Sequence, residues 1–134
     1  MAGFAQQVKA FGNRASSDMV LVVRKIALEM FQRVILRSPV DTGRFRGNWQ
    51  VRVGGVATGT LQLDDPSGAA AVSSAQAAAL GLQPGQSISL VNNLPYAQRL
   101  ENGYSAQAPA GMVSLTVQDF QQIVRKMGLE LVRK

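Results

Sequence analysis

Between Ser38 and Trp49, in SPVDTGRFRGNW, the apolar period of this chain changes from helical to alternating. Upstream, Met19, Val22, Val23, Ile26, Met30 and Val34 recur at the i, i+3, i+4, i+7 spacing of one helix face. Val20, Ala27, Phe31 and Ile35 widen that stripe, and Arg24, Lys25, Glu29, Gln32, Arg33 and Arg37 hold the opposite side. The spacing predicts a helix from about Ser17 to Arg37, with Ser16 or Ser17 as its cap and Asp18 in its first turn. A stripe this wide needs more than one covering partner, so the helix should pack on a sheet and on a further helix or subunit. Pro39 disfavours helical geometry at Ser38 and should end the helix there. Asp41-Thr42-Gly43 then has turn chemistry: a short acceptor, a hydroxyl and a residue that tolerates positive φ. Pro39, Asp41, Thr42 and Gly43 therefore form a structural corner. Arg44 to Val53 follows as a strand, with Trp49, Val51 and Val53 on one face and Asn48, Gln50 and Arg52 on the other.

Beyond Gly54-Gly55 the pattern weakens. Thr60 to Leu63 suggests a short strand, cut off by Asp64-Asp65-Pro66. Ser67 to Leu80 is rich in Ala, Ser and Gln and suits a small helix closed by Gly81; Pro84-Gly85 is a turn. This composition offers little to bury, so residues 55–86 read as a flexible Ala/Gly-rich insertion. Ser87 to Asn93 is a second strand with Ile88 and Leu90 on one face. Tyr96 to Asn102 suits one or two helical turns stopped by Gly103, and Ser105 to Gly111 a loop. Val113, Val117, Phe120, Val124, Met127 and Leu131 mark a narrow stripe on a final helix from about Ala110 to Val132. At the other end, Phe4, Val8 and Phe11 make residues 1–16 a short amphipathic arm. The expected fold is a single α+β domain over residues 1–134. A small, mostly antiparallel sheet packs against a long N-terminal helix and a C-terminal helix.

The chemistry available is narrow. With 134 residues the chain can bury a core without staples, and it holds neither cysteine nor histidine. That removes disulfides, thiolate ligands and the commonest general base, so no metal, cofactor or catalytic residue is expected. No leader pattern and no run of about 18 apolar residues is present, so a soluble chain with no membrane partner is expected. Asp41-Thr42-Gly43 is also the aspartic-protease tripeptide. Here it follows a helix and a proline and precedes Arg44, whose charge would oppose the proton sharing that chemistry needs, so the turn reading is favoured. The net charge of +6 is uneven: between residues 55 and 111 the only cation is Arg99, against Asp64, Asp65 and Glu101. Arg44, Arg46 and Arg52 with Trp49 could contact phosphates and stack a base, but Trp49 shares parity with Val51 and Val53, which favours the core. Tyr96 with Glu101, Asn102 and Gly103 could line a polar pocket; a short helix with a glycine stop explains them as well.

The order of these pieces resembles a family. Ser38-Pro39-Val40-Asp41-Thr42-Gly43-Arg44-Phe45-Arg46 is followed by Asn92 or Asn93 with Tyr96-Ala97. Then come Leu100-Glu101-Asn102-Gly103 and Ala108-Pro109-Ala110-Gly111-Met112. From about Met19 onward the chain is similar to the tail-completion or head-to-tail joining (neck) proteins of tailed bacteriophages, which are related to tail terminators. The resemblance implies a structural virion protein, made in the host cytoplasm. It implies a homo-oligomeric ring of about six copies that completes the tail and docks the tail tube to the head-completion or connector protein, with DNA passing through its lumen. Pairing of Arg44, Arg46 and Arg52 of one copy with Asp64, Asp65 or Glu101 of the next is the expected subunit or partner interface. The alternative from another class is a small basic nucleic-acid-binding protein.

Overall fold

The computed structural model describes residues 17–132, with side chains from Val20 to Met127. The amphipathic piece expected within residues 1–16 lies outside them. The fold is α+β. Helix α1 (Ser17–Arg37) leads to a single turn, α2 (Arg44–Gly47), and to strand β1 (Trp49–Val53). Helix α3 (Ala69–Leu80) and strand β2 (Ile88–Asn92) come next, then α4 (Ala97–Glu101), α5 (Val113–Gln118) and α6 (Phe120–Val132). The two strands pair antiparallel, with Trp49 opposite Asn92, Val51 opposite Leu90 and Val53 opposite Ile88.

The wide stripe of α1 is covered from two sides. α3 packs along one flank and also onto β1, while α5 and α6 pack along the other. Phe31, Ile35 and Ala27 are almost wholly enclosed, as are Ile88 and Leu82. Polar tethers fix these contacts. The Arg24 guanidinium donates twice to the Leu82 carbonyl, at 2.9 and 2.7 Å, tying α1 to the end of α3. Asp119 accepts from Arg33 at 3.0 Å and from Arg37 at 2.8 Å, tying α1 to the last helices.

Four expectations are corrected. Arg44 to Gly47 is a helical turn and not strand: Gly43 sits at φ 92° and its carbonyl accepts the Gly47 N–H at 2.9 Å, so the chain coils once before it extends. Thr60 to Leu63 forms no strand; these residues run as irregular chain. The last helix is not continuous but breaks at Asp119, whose carboxylate is drawn across to α1. The buried face runs through Met112, Thr116, Ile123 and Met127, so that Thr116 is buried and Val117 is 43% exposed. Thr116 tolerates burial because its hydroxyl donates to the Met112 carbonyl and accepts from Arg37. Finally, the Ala-rich stretch does contribute to the core: Ala71, Ala75 and Ala79 are buried, their small side chains letting α3 lie close on α1 and β1.

The insertion also covers the outer face of the sheet. The Ser89 hydroxyl donates to the Gly55 carbonyl, Gln50 to the Gly59 carbonyl, and Asn93 to the carbonyls of Ala57 and Gly59. These three side chains share the face opposite the core residues, so residues 55–59 cross that face as a strap, within which Ala57 is buried.

Candidate functional site

The pieces that carried the resemblance lie far apart in sequence and meet in one place. At its centre is Ser38, 2% exposed. Its hydroxyl donates to the Val34 carbonyl at 2.8 Å, closing α1, and accepts the Trp49 indole N–H at 2.7 Å. Trp49 is thus a core residue with its one polar atom satisfied, packed edge-on against Phe45 at 5.7 Å between centroids. Its face is not open to a base. Arg46 reaches back under the corner, donating to the carbonyls of Leu36 and Ser38 from one nitrogen and to Pro66 from another. A cation held by three carbonyls, two at the end of α1 and one at Pro66, acts as a bracket because guanidinium presents its donors in a fixed fork; its Nε is buried without a partner among the described residues.

The corner itself is bonded through Thr42, whose hydroxyl accepts the Arg44 N–H at 3.2 Å; Asp41 is exposed. Gly43 is required twice over. Its φ of 92° disfavours any side chain, and a Cβ there would stand 2.7 Å from Pro66 Cδ and 2.8 Å from the Asp65 carbonyl carbon. Asp65 donates its N–H to the Gly43 carbonyl at 2.9 Å, while its carboxylate accepts the Ala71 N–H at 2.9 Å in the first turn of α3. The insertion is therefore anchored on the corner. Asn48, fully buried, completes the anchor: its amide donates to Arg44 and Leu61 carbonyls at 2.7 and 3.1 Å and accepts the Leu61 N–H at 2.7 Å.

The later pieces join from the other side. Asn92 donates to the Phe45 carbonyl at 2.9 Å. Gln107 pairs with the Val40 backbone in both directions, through its oxygen at 2.9 Å and its nitrogen at 3.1 Å. Glu101 caps the start of α5: one oxygen accepts the N–H groups of Met112 and Val113, the other the N–H and hydroxyl of Ser114, all within 3.0 Å. Gly111 leaves room for this, since a Cβ there would fall 2.5 Å from the Glu101 carbonyl oxygen. The pocket reading of Tyr96, Glu101, Asn102 and Gly103 gives way to the plainer one. Glu101 is a cap, Gly103 stops α4 at φ 91°, and Tyr96 rests on Phe45 with its ring partly exposed.

Burial pushes the Glu101 carboxyl up, but the three backbone N–H bonds and the Ser114 hydroxyl outweigh it and hold the group below its ordinary range. A carboxyl depressed by folding stabilises the fold above its unfolded pKa, and that contribution is lost as pH falls through the folded value. Asp119, held down first by its bond to Arg37 and further by Arg33 against a smaller opposing effect of burial, acts in the same sense. Glu101→Gln should therefore lower the melting temperature at neutral pH and flatten its decline between roughly pH 5 and pH 2, measured by circular dichroism. An unchanged acid limb would mean that the cap contributes nothing.

The six residues expected at an interface divide into two groups. Arg46, Asp65 and Glu101 are engaged within the chain; Arg44, Arg52 and Asp64 are exposed. Asn48, Gln107 and Asp119 hold the assembly together without having been singled out in the sequence. Asn48 reads there as one more outward polar strand position, and Gln107 as loop composition. The residues that carried the resemblance thus build one closed corner of an α+β fold. No protein-family model matches the chain, and no curated protein or solved structure matches it.

Proposed function

We propose that the chain is a non-enzymatic structural protein of a tailed phage, a ring-forming subunit of the neck that completes the tail and joins it to the head-completion protein. The observation that supports this is the use made of the residues carrying the resemblance. Ser38, Gly43, Arg46, Asn92, Glu101 and Gly111 all act on the subunit's own backbone or make room for it. Residues spent in this way maintain a shape, and shape is what a collar subunit contributes. The exposed Arg44, Arg52 and Asp64 remain as contacts to a neighbouring copy or to the connector. Trp49, the aromatic residue of the basic cluster, is buried and offers no stacking face to the nucleic-acid reading. DNA passes through the lumen in this reading, and a ring that gripped phosphates would slow it.

Electron cryomicroscopy of purified virions of the encoding phage, with this chain tagged, tests the reading. Tag density at the junction of capsid and tail is the expected result. Intact virions with no copy there would overturn it.

A further inference from the structure

The end of α4 fixes two exposed side chains against each other. Gly103 donates its N–H to the Leu100 carbonyl at 3.1 Å, and Tyr104 donates its N–H to the Arg99 carbonyl at 3.2 Å. With Gly103 at φ 91°, this crossed pair of bonds closes the helix and sets the residue two past its cap against the residue three before it. An apolar contact usually occupies that place. Here it is a cation over a ring: the Arg99 guanidinium carbon lies 5.2 Å from the Tyr104 ring centroid. The turn is held from behind, since a Cβ on Gly103 would strike the Pro109 carbonyl oxygen. Tyr96, three residues before Arg99, shares its face at the start of α4 and is 38% exposed. Tyr104 is 73% exposed, so most of its ring stands in water.

A ring that served only to close the helix would be covered. Arg99 is exposed too, and among the described residues its guanidinium makes no ion pair and no hydrogen bond, so its N–H donors are open. Its charge is unopposed along the chain: from residue 66 to 118 the only acid is Glu101, and both Glu101 oxygens are taken by α5. At the corner Arg44 and Asp41 are both exposed and offset each other in net charge, which leaves Arg99 as the cation of this surface. We propose that Tyr104 and Arg99, with Tyr96, form a contact for single-stranded nucleic acid, in which an unpaired base stacks on the open face of Tyr104 and Arg99 bonds the adjoining phosphate. The exposed amides of Gln98, Asn102 and Gln107 can bond base edges without fixing a sequence. A protein partner would need an apolar patch around its aromatic anchor, whereas this ring is bordered by a cation, amides and small side chains. Stacking demands an unpaired base, so a duplex meets only Arg99 here and passes. The inference goes beyond the neck reading and does not depend on it.

Fluorescence anisotropy of a labelled oligothymidylate, titrated with the full chain, tests the proposal. Binding at low salt is expected, with the strand preferred over a duplex of the same length. Tyr104→Ala should weaken binding about 5- to 150-fold, the range for one stacked base, while Tyr104→Phe keeps the ring and should stay within about twofold of the parent. Arg99→Gln should weaken binding and lower the slope of log affinity against log salt by about 0.7, the share of one phosphate on a single strand. Lys25→Gln removes an exposed charge about 20 Å along α1 from Ser38 and should leave the affinity nearly unchanged. All four variants change exposed side chains and should keep the circular dichroism of the parent. No binding at low salt, equal affinity for strand and duplex, a Tyr104→Ala variant that binds as the parent does, or a loss from Lys25→Gln as large as that from Arg99→Gln would each overturn the proposal. Labelled polyglutamate bound more tightly than the strand would assign the surface to an acidic protein and overturn it as well. A neck ring in virions with no strand binding would sink this contact and leave the functional reading standing; strand binding by a chain missing from the neck would do the reverse.

Discussion

Gly43→Ala should lower the melting temperature by roughly 10 °C or more, the loss expected of about 3 kcal/mol in a domain of this size. Two costs add. A left-handed backbone costs an L-residue about 1–2 kcal/mol, and forcing a methyl into occupied space costs typically about 1–3 kcal/mol. The space here is occupied by backbone and by a proline ring, Asp65 and Pro66, which cannot swing aside as a flexible side chain would. Relief would require the corner to part from the insertion, breaking the bond from the Asp65 N–H to the Gly43 carbonyl. Thermal unfolding followed by circular dichroism measures the loss. A fall of less than about 2 °C would show that Asp65-Pro66 does not lie against the corner.

Asn48→Ala should cost about 3 kcal/mol and act locally as well as globally. The wild-type amide satisfies two carbonyls and one N–H from inside the protein, and alanine satisfies none. Each buried group left without a partner costs about 1–3 kcal/mol. The bonds lost are those that hold Leu61, where the strap returns from the outer face of the sheet. Hydrogen exchange should therefore rise at Leu61 and across residues 55–63, while amides of β2 keep their relative protection. Exchange that rises evenly through the domain would mean that Asn48 supports the core as a whole and not the strap.

These two residues show why the candidate site was only half legible. Gly43 stands in a tripeptide whose chemistry announces a turn, and the turn is there. What the glycine approaches, Asp65-Pro66, lies outside any local pattern. Arg46 and Arg52 look alike in sequence, two cations on a basic segment. One is bent beneath the corner because a helical turn, and not a strand, carries it; the other is exposed. Glu101 reads as one more acid beside a short helix, and its role appears only when α5 brings three N–H groups to it.

The boundaries of α1, the core-facing alternation of the two strands and the burial of Trp49, Ile88 and Leu90 were determined by the sequence alone, because each follows from a period or a breaker acting within a few residues. The break at Asp119, the seating of α3 and the strap were decided only in the tertiary structure. Each depends on a partner between six and more than eighty residues away, and no local period records where a distant carbonyl or carboxylate will arrive.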